Sequence, residues 1–288
     1  MKSTLKKTNE ILRKYGITAN KRFGQNFLID DYILENIIDS SNIGNNDLVI
    51  EIGPGLGNLT EYLLEKANHV LLVEIDKNMI EILNDRFSNF NNYTLLNLDV
   101  LKVSIDEQIA KIEKEKNIKF ENIKVVANLP YYITTPILFK LLQDENRISE
   151  IVVMVQKEVA LRMVANEKSK DYGILTLMTK FLSVPEIVVN VPNTCFIPAP
   201  NVESAVIKLV KEKRYEVKNE EVFTKLIHSS FATRRKKMIN SLMNTHFLNM
   251  EKSEIEEIFN KCGIDLNTRA EQLKIEDFIK ISDELENR

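Results

Sequence analysis

"DLVIEIGPGLGNLTEYLLEKANHVLLVEID" (residues 47–76) contains a short apolar run ending in glycine, a segment with helical spacing, and a second apolar run. Apolar runs this short, each bounded by a turn signal, read as buried strands, and a helix between two of them makes the strands parallel. The pattern extends both ways. Upstream, "DDYILENIIDSSNI" puts Ile33, Ile37 and Ile38 on one helical face. Downstream, helical "KNMIEILNDRF" precedes a third strand, "YTLLNLDV"; a polar stretch over 104–121 follows. Strand "IKVVANL", helix "TPILFKLLQD", strand "EIVVMVQ" and helices "KEVALRMVA" and "YGILTLMTKFL" continue the chain. "PEIVVNVP" and "SAVIKLV" read as further strands, antiparallel at the sheet edge. Nearly continuous apolar strands alternating with helices indicate a parallel sheet covered on both faces. From residue 213 the pattern is helical only: "EEVFTKLIHSSF", "RRKKMINSLMNTHF", "SEIEEIFNKCG" and "IEDFIKISDEL". The expected architecture is an α/β, Rossmann-like sheet over 30–212, a small all-helical domain over 213–288, and a basic N-terminal segment over 1–29.

The chain has 288 residues, 44% hydrophobic and 28% charged, enough for one sizeable core and a smaller second domain. Two distant cysteines, Cys195 and Cys262, exclude a disulfide framework and a thiolate zinc site. The basic N-terminus lacks the apolar run of a secretion signal, and runs such as "IVVMV" are too short to span a bilayer. A cytoplasmic protein without membrane partners is expected. The net charge of −3 is unevenly spread: residues 1–29 carry +6 and residues 205–240 carry +6, leaving an acidic body. Two basic segments on an acidic body suit phosphate docking on chosen faces.

Gly53, Gly55 and Gly57 lie at the carboxyl end of the first strand, just before a helix, where a ligand can approach the backbone closely. A dinucleotide fingerprint needs glycine at position 58, which is Asn58. The loop therefore suits a ligand without phosphates, such as S-adenosylmethionine. Glu74 ends the second strand, where nucleotide-binding folds place the carboxylate for the ribose hydroxyls. Asp99, at the end of the third strand, is placed to accept from an adenine amino group. Either acid alone reads as a strand end in water; three polar strand ends in register argue for a site.

The fourth strand ends on "NLPY", residues 128–131. A base amine is a poor nucleophile because its lone pair is delocalised into the ring. Acceptors on both N–H bonds favour a tetrahedral nitrogen with an outward lone pair. The side-chain oxygen of Asn128 and the carbonyl of Leu129 or Pro130 form such a pair, with proline fixing the backbone. Tyr131 offers a face on which a flipped-out base stacks. Methyl transfer from a sulfonium needs no acid, so catalysis rests on positioning, and no metal is expected. His69, His228 and His246 are scattered and read as surface or packing residues.

"KRFGQNFLID" (21–30), "EIGPGLGNLT" (51–60), "VEID" (73–76), "NLDVL" (97–101), "NLPYYITTPIL" (128–138), "CFIPAPNVESAVIKL" (195–209), "FATRRKKMINSL" (231–242) and "TRAEQL" (268–273) occur in this order. Through them the chain resembles, nearly end to end, the KsgA (RsmA) family of small-subunit rRNA adenine N6-dimethyltransferases, relatives of the Erm resistance methyltransferases. The resemblance implies S-adenosylmethionine as cofactor, S-adenosylhomocysteine as product, and the pre-small ribosomal subunit as partner; a monomer is the default expectation. It implies cofactor contacts from Asn26 and Leu28 along with Gly53, Glu74, Asp99 and Asn128. Phe196 matches the aromatic that, with Tyr131, sandwiches the target adenine. The substrate so implied is two adjacent adenosines in a hairpin loop near the 3′ end of small-subunit rRNA. Arg234, Arg235, Lys236 and Lys237, expected on a helix of an rRNA-binding domain, and Lys21 and Arg22 would contact RNA. In the family, small residues vary at the position of Gly57, and a polar residue is common at that of Tyr132.

Three alternatives remain at this point. An Erm-type enzyme acting on large-subunit rRNA would share the chemistry. A non-catalytic RNA-binding assembly factor would tolerate a degraded glycine loop or corner, and neither is degraded here. A nicotinamide dehydrogenase conflicts with Asn58.

Overall fold

A computed structural model describes residues 3–17 and 25–287. The chain divides into two units: Met1–Ala160 with Val184–Glu212, and Leu161–Ser183 with Lys213–Arg288. The boundary near residue 212 falls where the sequence changes character. Leu161–Ser183, expected in the first domain, instead groups with the C-terminal helices.

The first unit opens with α1 (Thr4–Tyr15), β1 (Phe27–Leu28), α2 (Asp31–Ser40), β2 (Leu48–Ile52), α3 (Asn58–Lys66) and β3 (His69–Glu74). It continues through α4 (Lys77–Arg86), β4 (Tyr93–Asn97), α5 (Ile105–Lys116), β5 (Ile123–Asn128), α6 (Thr134–Gln143) and β6 (Glu150–Gln156). Past α7 (Lys157–Val164) and α8 (Ile174–Leu182), it resumes with β7 (Val184–Val191), β8 (Phe196–Ile197) and β9 (Ser204–Val210). Seven strands form one sheet in the order β4-β3-β2-β5-β6-β9-β7. Pairings from β4 to β6 are parallel; β9 runs antiparallel to both β6 and β7, as expected of the sheet edge. Side chains alternate across each strand. Val49, Val70, Leu72, Val126, Val152, Met154 and Val206 pack with the apolar faces of α2 and α3. Their neighbours Ile50, Leu71, Val125 and Val153 are equally buried, so both sheet faces are covered.

α5 falls within the stretch read above only as polar. Ser104 caps it, and Ile105, Ile109 and Ile112 bury one stripe beneath a charged outer face. β1 and β8 pair in a separate two-stranded sheet, Phe27 opposite Ile197 and Leu28 opposite Phe196. No described helix is long and apolar enough to cross a membrane.

In the second unit, α8 joins α9 (Glu220–Phe231), α10 (Met238–Asn244), α11 (Lys252–Lys261) and α12 (Ile275–Leu285). The rings of Phe181 and Phe223 lie 4.5 Å apart, and Tyr172 donates to the carbonyl of Leu273 at 2.8 Å. These contacts explain why an apolar helix earlier in the chain belongs with this unit. The cations of "TRRKK" are not on a helix. They occupy the turn between α9 and α10, where the Lys236 N–H donates to Thr233 and the Thr233 hydroxyl pairs with Ser241.

Candidate active site

The polar ends of β2, β3 and β5 open on one cavity of about 380 Å³. Its walls include Asn26, Leu28, Gly53, Glu74, Asp99, Asn128, Pro130 and Tyr131, which the sequence had singled out separately.

Gly53, Gly55 and Gly57 all adopt positive φ, at +67°, +56° and +80°. Gly57 has a second constraint: a Cβ there would sit 2.6 Å from the Phe87 ring and 2.9 Å from Leu83. A side chain here would strain the left-handed backbone and push the Phe87 ring aside. At Gly53 a Cβ would touch the Pro130 ring at 3.5 Å, so the glycine loop and the corner after β5 are in direct contact.

Glu74 is 5% exposed; its carboxylate accepts from the N–H of Gly55 at 3.1 Å and of Asp76 at 2.8 Å. Burial pushes its pKa up, opposed by those backbone donors. Asp99 is half-buried and caps the following turn through Leu101 N at 3.0 Å. The Asn128 amide nitrogen donates to the carbonyl of Asn26 at 3.2 Å, which leaves Oδ1 as the amide's acceptor. The carbonyl of Pro130 already accepts from the Thr134 hydroxyl at 3.0 Å and the Ile133 N–H at 3.3 Å. The Tyr131 hydroxyl pairs with buried Ser204 at 2.5 Å, which anchors the ring, and burial raises its pKa.

Phe196 does not line the cavity. Only 3% exposed, it packs in the core beside Leu28, its partner across the small sheet, so in this conformation its ring presents no face to a ligand there. A phenylalanine in a proline-rich stretch carries no sequence signal that separates burial from display. Lys21 and Arg22 lie outside the described residues. Arg234, Arg235, Lys236 and Lys237 are exposed in the second unit; Arg234 is engaged by Glu271 at 3.0 Å and Lys237 by Asn267.

Sequence reasoning missed several wall residues. Glu51 lies within β2, 2% exposed; burial, with Glu74 adding to it, pushes its pKa from 4.5 up to about 8 against the Thr60 hydroxyl and Arg86. An acid interrupting an apolar strand was the available signal. Gln25 bonds Asp76 at 2.9 Å, and Ile75, Leu98, Leu101 and Tyr132 form an exposed, mostly apolar rim. Three acidic side chains line the cavity among the described residues, Glu51 kept protonated at neutral pH by its burial, and no lysine or arginine does. Such walls favour a cationic ligand and disfavour phosphates. Among the described residues no group of three or more His, Cys, Asp or Glu side chains gathers as a metal site.

A family profile for ribosomal RNA adenine dimethylase matches residues 16–287. The small-subunit ribosomal RNA methyltransferase A of Lachnoclostridium phytofermentans is 48% identical over 98% of this chain and 97% of its own length. The crystal structure of a dimethyladenosine transferase from Plasmodium falciparum superposes with a TM-score of 0.74 at 28% identity, covering 90% of this chain and 96% of that one. That of the 23S rRNA methyltransferase ErmE shares the fold, with a TM-score of 0.65 at 23% identity, over 91% of this chain and 100% of that one. With its glycine loop, its strand-end acids and its Asn-Leu-Pro-Tyr corner on one cavity, the chain belongs to the ribosomal RNA adenine dimethylase family.

Proposed function

We propose that this protein dimethylates the N6 amines of two adjacent adenosines in the 3′-terminal hairpin loop of small-subunit rRNA, using S-adenosylmethionine, during small-subunit assembly. The observation that carries this reading is the single cavity on which Glu74 and Asn128 meet, acidic and without cations among its described walls. S-adenosylmethionine fits such walls: it is cationic at sulfur and at its amino group and carries no phosphate. When bound it supplies an electrophilic methyl carbon whose leaving group is a neutral thioether.

The chain's own residues do the rest by positioning. Glu74, with Gly55 and Asp76 holding its carboxylate, receives the ribose hydroxyls, and Asp99 receives the adenine amino group at the cavity's far end. Gly53 lets the ligand approach the backbone, with Asn26 and Leu28 closing over it. Asn128 Oδ1 accepts one N–H of the target amine. The second acceptor is the Leu129 carbonyl, because that of Pro130 is occupied by Thr134 and Ile133. Tyr131 stacks on the base, a contact worth about 1–3 kcal/mol. The methylated nitrogen then releases its proton to water, so neither a strong base nor a metal is required.

Arg235 and Lys236, with Arg234 and Lys237 beside them, contact rRNA phosphates from the second unit, and Lys21 and Arg22 contact RNA from the basic N-terminal segment. The protein works as a monomer in the cytoplasm. A large-subunit target is supported by fold alone, at 23% identity. Purified protein, labelled S-adenosylmethionine and undermethylated small subunits test the proposal. Label on N6 of two adjacent adenosines in the 3′ hairpin is expected; no label there, with label instead on large-subunit rRNA supplied in a parallel reaction, would refute it.

A further inference from the structure

Asn58 opens α3 where a dinucleotide loop would carry glycine, and it is 6% exposed. Its Nδ2 donates to the Thr8 hydroxyl of α1 at 2.8 Å and to the Leu28 carbonyl of β1 at 2.8 Å. Its Oδ1 accepts from Arg86 Nη1 at 3.1 Å. The same guanidinium donates to the carbonyl of Leu56 and, at 2.7 Å, to Glu61, whose other oxygen accepts from Lys7 of α1 at 2.6 Å. Under these bonds, Ile11, Leu12 and Tyr15 of α1 pack against Phe27, Leu56, Met79 and Ile82. Leu28, Leu56 and Asn58 all line the cavity. An apolar stripe would be enough to hold a helix on the surface. A buried amide bonded to three elements fixes their spacing as well, because hydrogen bonds tolerate little displacement.

We infer that Asn58 is a positioning residue that makes α1 part of the cofactor site, holding Leu28 and Leu56 at the spacing that binds S-adenosylmethionine. This rests on the cofactor reading above. Asn58 touches no reacting atom in this account; it acts through the walls it ties together. The motif that disqualifies the loop for a pyrophosphate is the same residue that recruits the N-terminal helix.

The test uses the full chain and S-adenosylhomocysteine as probe. Thr8→Val removes only the hydroxyl that Asn58 reaches, Thr8→Ser keeps it, and Asn58→Ala removes the hub. Thr8→Val and Asn58→Ala are each expected to raise the Kd about tenfold, the size of a lost bond with a buried partner left unmet. The double variant should bind no worse than Asn58→Ala alone, and Thr8→Ser should bind like the unaltered chain. In Thr8→Val, KM for S-adenosylmethionine should rise while kcat holds, and amide exchange over 26–28 and 55–57 should quicken. A folded Thr8→Val protein with unchanged Kd, whatever its melting temperature, or strictly additive losses, overturns the inference. If the unaltered chain fails to bind the probe, the cofactor reading falls; unchanged exchange over 26–28 and 55–57 in Thr8→Val then separately overturns the network.

Discussion

On one side of the cavity Glu74 is 5% exposed and its carboxylate is fixed by two backbone N–H groups; on the other, Tyr132 is 54% exposed and follows a corner stiffened by Pro130. The first half is rigid and acidic, built from strand ends and positive-φ glycines, and suits a small ligand always presented in one pose. The second combines fixed acceptors, the anchored ring of Tyr131 and an exposed rim, and suits a base delivered from a large folded RNA. One half holds its ligand by preformed geometry; the other leaves room for a bulky partner to enter.

That contrast breaks most visibly at Asn128. Asn128→Ala is expected to lower single-turnover methyl transfer about 10²–10³-fold, the usual loss for one preorganised polar group aimed at the reacting centre. Quenched-flow assays on undermethylated subunits measure it, and a loss below about threefold would remove the residue from the chemistry. On the rigid half, Gly57→Ala should destabilise the fold by about 2–4 kcal/mol, from the Phe87 clash and the left-handed backbone together. Urea unfolding checks that value; an unchanged midpoint would show that the loop yields.

Glu51 sharpens the comparison through pH. The unfolded chain ionises this group near 4.5, whereas the fold keeps it protonated up to about 8. The unfolded state therefore binds fewer protons in that window, and stability falls as pH rises through it. Glu51→Gln should flatten that fall in melting temperature between about pH 5 and 8; an identical slope in both proteins would place the ionised form inside the fold. The smallest effect belongs to the second unit. Replacing Arg235 and Lys236 by alanine should reduce the salt slope of RNA binding by about 1–2, one counterion per lost phosphate contact, and leave S-adenosylhomocysteine binding unchanged.

Much of the rigid half was legible in the sequence because its logic is local. Apolar strands ending at or just before Gly53, Glu74, Asp99 and Asn128 declare both the sheet and the edge on which the cavity opens, since parallel strands leave their polar residues at the ends. The family resemblance added Asn26 and Leu28, which a polar turn before a helix would not reveal. What stayed hidden depends on tertiary placement. The Ile105–Ile109–Ile112 stripe of α5 was masked by surrounding charge. Phe196 turned inward because β8 pairs with β1, a pairing two residues long and far apart in sequence. The TRRKK cations form a turn because Thr233 bonds Ser241 across it, and α8 left the first unit because its apolar face meets α9.

Titration of S-adenosylhomocysteine into Glu74→Ala and Asn128→Ala, side by side with the unaltered chain, tests the two-sided cavity most directly. Glu74→Ala should weaken binding by about 100-fold, the loss of a buried charged acceptor, while Asn128→Ala should weaken it by about threefold, through the lost bond to Asn26 alone. Equal weakening in both variants would contradict the division of the cavity into a cofactor half and an amine-holding half.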